Sequence, residues 1–252
     1  MAERFNLRSS VPSWVQHEHI ARYKFASLYV DSKIVVDAAC GSGIGSAMFA
    51  KSGAKVVEAF DVSESAVSEA KLQHVFENLR FRQSDCLHLP LPDRYADLYI
   101  SLETIEHVDS DSLFLKEAVR ILRSGGTFIC STPNRNVTNP GTALSDKPRN
   151  PFHVREYSRH EFLRLLSGSF GQITLFGQNF QAPWVFNILQ TCGKVMPKYF
   201  AARTPLLFKI PKLFPECPEK YQVTPVIKKR EYEYWVAVCS KPFLHSPKTR
   251  SS

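Results

Sequence analysis

The sequence predicts an α/β protein, in which a mainly parallel sheet carries helices on both of its faces. Short runs rich in β-branched and aromatic residues alternate with helical patterns from about Lys33 onward, and this alternation is typical of parallel strands joined by helices. The 252 residues are 44% hydrophobic and 22% charged, which is ordinary usage for a folded protein and excludes a disordered chain. We therefore expect one domain over residues 1–252.

The strand candidates are seven short runs of similar composition. In chain order they are IVVDAAC from Ile34, VVEAFD from Val56, RFRQSD from Arg80, ADLYISLE from Ala96, TFICSTP from Thr127, QITLFGQ from Gln172 and YWVAVCSKP from Tyr234.

The helix candidates between these runs have recognisable starts. Ser63, Ser110 and Ser158 each precede a helical pattern, and a serine hydroxyl there can accept a hydrogen bond from an unpaired backbone N–H. Glu161 follows Ser158 by three residues and predicts a capping box. We expect the pair Gly125-Gly126, before the fifth strand candidate, to end the preceding helix.

The positive charge of the chain is concentrated near its carboxyl end. The net charge is +8, and between Pro183 and Arg230 nine basic residues accompany only two acidic ones. The segment 179–231 also contains seven prolines, which argues against long regular elements. It is either a surface cap with solvated lysines or an element that faces an acceptor substrate or an anionic membrane surface.

Targeting signals are not evident in the sequence. Six cysteines lack CxxC or zinc-finger spacing, the first ten residues lack an apolar stretch, and no run approaches the roughly 20 apolar residues of a spanning helix. We expect a reduced, cytoplasmic protein whose contact with a membrane, if any, is peripheral.

A glycine-rich loop follows the first strand candidate. That strand contains Asp37, and Gly41, Gly43 and Gly45 follow it. Glycines let the backbone approach a ligand closely, and the next helix offers unpaired N–H groups. A dinucleotide fingerprint would place its third glycine where this chain has Ser46. The loop therefore indicates a nucleotide-like ligand of another kind.

Carboxylates end the next two strand candidates. Asp61 ends the second, where it can accept hydrogen bonds from both hydroxyls of a ribose. Asp85 follows the third, where it can accept from the exocyclic amine of an adenine, and Cys86 is its neighbour. Such aspartates also cap loops, but their register favours a nucleoside site.

This series of motifs resembles the class I S-adenosylmethionine-dependent methyltransferases, from Asp37 to the last strand candidate. The resemblance implies a Rossmann-like sheet of seven strands whose last strand is antiparallel, with S-adenosylmethionine as the cofactor. It divides the chain into an N-terminal helical cap at 1–32, a cofactor-binding core at 33–178, the basic, proline-rich insertion at 179–231, the last strand at 232–242 and a tail at 243–252.

The resemblance also implies roles for single residues. Arg22, on a helix that closes over the cofactor, either pairs with the cofactor carboxylate or lies on a solvated helix face. By resemblance, Asp37 faces the cofactor ammonium group, Gly41 and Gly43 line its methionine part, Asp61 holds the ribose, Asp85 holds the adenine amine and Cys86 contacts the adenine ring through its backbone.

The segment after the fourth strand candidate carries the acceptor chemistry. It reads Glu103-Thr-Ile-Glu106-His107, and if Glu103 opens a helical turn, the three side chains can converge. Two carboxylates and an imidazole suit Mg²⁺ or Mn²⁺. His153 follows on a loop after the fifth strand candidate. Without a metal, we expect His107 to act as a general base that the glutamates order.

The ExxEH pattern, the STPN stretch from Ser131 and His153 are similar to two subgroups of the family. One comprises the RNA 3′-terminal ribose 2′-O-methyltransferases. The other, nearer in the phrases SLETIEHV and NPFHVREYSRHEF, comprises bacterial O-methyltransferases of glycans and small metabolites. This resemblance implies that Glu103, Glu106, His107 and His153 are metal ligands.

The function that we expect is O-methylation of a hydroxyl on a glycan, a lipid-linked sugar or a small metabolite. An RNA 2′-O-methyltransferase is the first alternative, although the sequence lacks an evident RNA-binding module. A catalytically silent methyltransferase-fold partner is the second.

Overall fold

The computed structural model describes residues 13–181, 221–228 and 230–243. The helices are α1 (Ser13–Ser27), α2 (Ile44–Lys51), α3 (Glu64–Gln73), α4 (Asp111–Ile121), α5 (Arg135–Thr138) and α6 (Arg159–Ser167). The strands are β1 (Ile34–Ala38), β2 (Val56–Asp61), β3 (Leu79–Gln83), β4 (Ala96–Leu102), β5 (Leu122–Pro133), β6 (Phe170–Gln181), β7 (Thr224–Pro225) and β8 (Glu231–Pro242).

The strands form one mixed sheet in the order β3-β2-β1-β4-β5-β8-β6-β7. Strands β1 to β5 pair in parallel, and β8 is antiparallel to both β5 and β6. The α/β class and the antiparallel last strand are therefore confirmed. Within the described ranges the sheet has eight strands and not seven, because the two-residue β7 adds to the edge of β6.

Both faces of the sheet are covered, as the α/β pattern predicted. Along β4, the centre of the Tyr99 ring lies 6.4 Å from that of the Phe114 ring of α4, and both residues belong to a buried cluster that includes Phe162 of α6. Its neighbours Leu98 and Ile100 point to the opposite face and pack in the cluster that α1, α2 and α3 cover. Successive residues of a strand face opposite sides, so a strand buried on both faces reads as a continuous apolar run.

The three predicted helix starts are confirmed. The Ser63 hydroxyl accepts a hydrogen bond from the backbone N–H of Ala66 at 3.2 Å, and Ser110 caps α4 in the same way. Ser158 and Glu161 form the expected capping box at the start of α6.

The expected end of α4 at Gly125-Gly126 is wrong. The helix ends at Ile121, and Leu122 already pairs with Ala96 of β4. Pairing then resumes between Leu98 and Thr127, so the two glycines lie in an irregular stretch of β5.

The insertion expected at 179–231 falls mostly outside the described residues. Of that segment the structure describes 179–181, which belong to β6, and 221–228 with 230 and 231. No helix of the described part is both long and apolar enough to cross a bilayer.

Candidate functional site

A cavity of about 930 Å³ opens at the carboxyl ends of the parallel strands. Strand β1 lies between β2 and β4, so the chain leaves β1 and β4 in opposite directions and opens a crevice there. The loops after β1, β2, β3 and β4 all contribute to its lining. The volume lies within the range of ordinary ligand-binding clefts.

Asp61 is fixed at the floor of this cavity by two backbone donors. The N–H of Gly41 donates to its Oδ2 at 2.8 Å, and the N–H of Ser63 donates to its Oδ1 at 2.9 Å. Each carboxylate oxygen can accept a second hydrogen bond. Asp61 and Gly41 both line the cavity, so the carboxylate is held where a pair of ligand hydroxyls could reach it.

Asp85 and Cys86 lie on the same wall of the cavity. The backbone N–H of Leu87 donates to Oδ1 of Asp85 at 2.9 Å, which fixes the carboxylate at the cavity. Burial raises the pKa of the Cys86 thiol to about 12. Cys86 therefore adds no charge beside the ligand at neutral pH.

Gly43 is not among the residues that border the cavity, and its role beside the cofactor stays a prediction. Its φ is 77°, and a Cβ at this position would lie 2.6 Å from the ring of Phe81. A φ in the left-handed region favours glycine. A side chain does not fit at this position because α2 begins directly against β3.

Alanine at Gly43 should lower the free energy of unfolding by about 2 kcal/mol or more, from backbone strain and overpacking together. Gly125 is a matched control, because its φ is 81° and nothing lies within 4 Å of an added Cβ. Urea denaturation of both variants checks this, and equal losses for Gly43→Ala and Gly125→Ala would contradict the packing argument.

Asp37 is also not among the residues that border the cavity, and its place beside the cofactor ammonium group stays a prediction. Its side chain is buried, and its Oδ2 accepts a hydrogen bond from the Ser46 hydroxyl at 2.5 Å. Burial raises the pKa of Asp37 to about 7. Ser46 stands where a dinucleotide fingerprint would have glycine, and that substitution was the signal for this contact.

Arg22 of α1 is buried at 1% exposure, so its placement on a solvated helix face is wrong. Its Nη1 donates to Oε1 of Gln178 at 2.5 Å, and its guanidinium lies 4.4 Å from the centre of the Tyr234 ring. Its Nε is 3.9 Å from Oε1 of Glu103. Arg22 does not border the cavity, but Glu103, which it contacts, does. The contact of Arg22 with the cofactor stays a prediction.

Glu103 adopts a left-handed φ of 53° at the end of β4. Its N–H donates to the Ser131 hydroxyl at 3.0 Å, and that hydroxyl donates to its Oε1 at 2.5 Å. The segment that follows is a turn closed by the N–H of His107 on the carbonyl of Thr104, and the expected helical start at Glu103 is absent.

Three of the four predicted metal ligands come together. One ligand atom each of Glu106, His107 and His153 lies within 4.8 Å of the other two. Glu103 lies outside this group, although it borders the same cavity. Ser131 of β5 and Arg22 of α1 engage its carboxylate, and its role as a metal ligand stays a prediction.

Glu106 is the buried member of the group. Its Oε2 accepts from the Thr132 hydroxyl at 3.1 Å, whereas its Oε1 has no hydrogen-bond partner among the described residues. Burial, with the nearby negative charge of Glu103, raises the pKa of Glu106 well above its ordinary value. A proton on this oxygen, or a cation or hydrogen-bond donor beside it, would satisfy it.

The hydrogen bond of His107 fixes which of its ring nitrogens is basic. Its Nδ1 lies 3.0 Å from the carbonyl oxygen of Phe152. A carbonyl only accepts, so Nδ1 carries the hydrogen and the Nε2 of the neutral ring carries the lone pair. That Nε2 is 4.0 Å from Oε1 of Glu106.

Glu156 is a residue of this site that the sequence analysis missed. It borders the cavity at 2% exposure, and its Oε1 lies 2.6 Å from Nδ1 of His153. Burial acts to raise its pKa, but hydrogen bonds from His153, Thr138 and Asn139 outweigh burial and lower it. The three-residue spacing from His153 was the available signal.

The comparisons with known proteins agree with this fold. A family model described as a methyltransferase domain matches residues 36–130. A Mycolicibacterium smegmatis protein named "Probable S-adenosylmethionine-dependent methyltransferase" is 36% identical over 52% of this chain and 49% of its own length. The ubiquinone biosynthesis O-methyltransferase of Nitrosomonas europaea is 35% identical over 42% of this chain and 46% of its own.

Solved structures share the architecture over nearly the whole chain. A SAM-dependent methyltransferase from Thermotoga maritima aligns with a TM-score of 0.59 and 18% identity, covering 91% of this chain and 93% of its own. The chain spans about half the length of the curated relatives it matches. The chain therefore has the Rossmann-like fold of this solved SAM-dependent methyltransferase.

Proposed function

We propose that this protein transfers the methyl group of S-adenosylmethionine to a hydroxyl of a glycan, a lipid-linked sugar or a small metabolite. The observation that carries the proposal is the group of Glu106, His107 and His153, which borders the same cavity as Asp61 and Asp85. The name of the Nitrosomonas europaea relative, an O-methyltransferase, supports the same reaction type.

The acceptor hydroxyl must lose its proton as it attacks the methyl group, because an alkoxide is a far better nucleophile than an alcohol. A base in hydrogen-bond reach can take that proton during transfer. The Nε2 lone pair of His107 is suited to this role. Glu106, 4.0 Å from that nitrogen, would stabilise the imidazolium that forms.

The same residues fit a divalent cation. Glu106 offers a buried oxygen without a donor, and His107 offers a lone pair on Nε2. Together with a nitrogen of His153, they form a mixed carboxylate and imidazole set that suits Mn²⁺ or a similar ion. When bound, the cation would lower the pKa of the acceptor hydroxyl. We propose Glu106, His107 and His153 as its ligands.

Titration calorimetry of Mn²⁺ into the full chain, saturated with S-adenosylhomocysteine, tests the cation. We expect one ion per chain, with binding lost in Glu106→Gln. Glu117→Gln is the matched control, since Glu117 is also buried but holds Leu89 and Arg120 of another part of the fold. Binding that survives Glu106→Gln would contradict the ligand set, and no binding to wild type would leave His107 as a metal-free base.

A panel of acceptors tests the reaction, with release of S-adenosylhomocysteine as the readout. Turnover of sugars, lipid-linked sugars or hydroxylated metabolites would support the proposal. Turnover of single-stranded RNA alone, with affinity that falls steeply with salt, would support the RNA alternative instead. Cofactor binding without turnover of any acceptor class would support the silent partner.

We also propose that the basic segment 179–231 helps the protein to meet a lipid-linked acceptor at an anionic membrane surface. Its described carboxyl end exposes Ile227 and Lys228 side by side, a pairing of apolar and basic groups that suits an interface. The remainder of the segment lies outside the described residues.

A further inference from the structure

Glu156 and His153 form a buried carboxylate–histidine pair. Glu156 is 2% exposed, and its Oε1 is 2.6 Å from Nδ1 of His153, whose side chain is 8% exposed. A short contact between a carboxylate and a ring nitrogen in such a buried place is a charge-assisted hydrogen bond. The pair therefore constrains the imidazole strongly.

The carboxylate of Glu156 is itself anchored. Its Oε2 accepts from Nδ2 of Asn139 at 2.5 Å and from the hydroxyl of Thr138. Both oxygens of Glu156 are thus engaged by neighbours, which leaves this residue to orient a side chain and not to bind a ligand directly. Asn139 and Thr138 lie at the end of α5, so this helix sets the position of the carboxylate.

The contact with Asn150 shows independently which nitrogen of the His153 ring lacks the hydrogen. The N–H of Phe152 donates to Oδ1 of Asn150 at 3.1 Å, which makes Nδ2 the amide donor. That Nδ2 lies 2.9 Å from Nε2 of His153. An amide NH₂ only donates, so Nε2 of His153 is an acceptor and the hydrogen of the neutral ring resides on Nδ1.

We propose that Glu156 is a positioning residue, which holds His153 as the neutral Nδ1–H tautomer, so that Nε2 carries the lone pair and accepts from the Asn150 amide. A ligand in the cavity that uses this lone pair would displace that amide. His107 is held in the same tautomer by the carbonyl of Phe152. The two rings are edge to face with centroids 4.7 Å apart, and one ligand atom of each lies within 4.8 Å of a carboxylate oxygen of Glu106. This inference deepens the proposed function, because partners of this kind fix the orientation and basicity of histidines that bind a metal or take a proton.

The tautomer can be measured without metal, cofactor or acceptor. In the full chain labelled with ¹⁵N-histidine, two-bond ¹H–¹⁵N correlations near pH 7.5 show which ring nitrogen is protonated, and His153→Gln assigns the signals. We expect wild-type His153 to be protonated on Nδ1. In Glu156→Ala only the Asn150 amide still favours this tautomer, so the Nε2–H form should gain population. Glu156→Gln, which keeps one neutral acceptor, should lie between.

Two controls separate positioning from folding. Glu117→Gln, another buried glutamate, should leave the His153 signals unchanged, and circular dichroism reports whether each variant is folded. If Glu156→Ala does not fold, the near-isosteric Glu156→Gln decides. Wild-type His153 protonated on Nε2, or a folded Glu156→Gln with signals identical to wild type, would overturn the proposal.

Mn²⁺ affinity provides a second readout that depends on the proposed function. If the cation site exists, Glu156→Gln should weaken Mn²⁺ binding by about 10- to 100-fold, the usual effect of losing a hydrogen-bond partner of a metal-binding histidine. If wild type binds no Mn²⁺, the cation part of the proposed function fails, and the tautomer measurement still tests Glu156.

Discussion

Asp61→Ala should weaken S-adenosylhomocysteine binding by at least about 100-fold. Hydrogen bonds to a charged group contribute about 1.5–3 kcal/mol each, and we expect this carboxylate to accept from both ribose hydroxyls. Its two oxygens are already aligned by Gly41 and Ser63, so little ordering is needed on binding. Titration calorimetry or ligand-detected NMR measures the affinity.

The carboxylate of Asp61 also holds the backbone at Gly41 and Ser63. A control must therefore separate the effect on ligand binding from the effect on stability. Asp97→Asn is the matched control, because Asp97 accepts a backbone hydrogen bond from Ile34 at 2.9 Å without bordering the cavity. We expect Asp97→Asn to change stability alone. Asp61→Asn, which keeps one acceptor oxygen, should lose less affinity than Asp61→Ala. Unchanged affinity in a folded Asp61→Ala would refute the position that we assign to the ribose.

The place of Asp61 and Asp85 beside one cavity could be predicted because each signal is local. Asp61 and Asp85 stand at strand ends, and the carboxyl ends of adjacent parallel strands meet at one edge of the sheet. No knowledge of the remaining chain was needed to place them on one wall. The helix caps at Ser63 and Ser110 were equally local, since a cap and its first turn are adjacent in sequence.

The sequence was least informative where a distant segment decides the surroundings of a residue. Arg22 could be placed on a solvated helix face because the sequence does not show that β6 and β8 bring Gln178 and Tyr234 around it. The contact of Glu103 with Ser131, 28 residues away, and that of Gly43 with Phe81 of β3 could not be predicted either. These contacts depend on sheet order, which periodicity alone does not specify.

In the acceptor half, the sequence predicted some residues of the group and missed another. Glu106 and His107 were found from the ExxEH pattern, and His153 from its loop. Their meeting depends on the backbone, because the N–H of Val154 donates to the carbonyl of Glu106 at 2.8 Å and ties the two segments together. Glu156 was missed because its role depends on α5, which the sequence analysis did not predict.

His107→Ala should lower kcat by at least about 100-fold on any acceptor that wild type turns over. Loss of a general base costs 10²- to 10⁴-fold, and a cation that loses one of three protein ligands would be bound poorly as well. S-adenosylhomocysteine affinity should stay within about threefold of wild type, because His107 belongs to the Glu106 group and not to the wall formed by Asp61 and Asp85. His160→Ala, on the exposed face of α6, is the matched control and should behave as wild type.

The two proposed roles of His107 predict different effects on Mn²⁺ binding and on the activity of Glu106→Gln. If the histidine binds a cation, His107→Ala and Glu106→Gln should both abolish Mn²⁺ binding and turnover together. If it is a metal-free base, turnover should fall in His107→Ala without any Mn²⁺ dependence in wild type, and Glu106→Gln should retain part of the activity. A variant that turns over normally but binds cofactor poorly would place His107 in the cofactor half, because only a contact with the cofactor itself could produce that pattern.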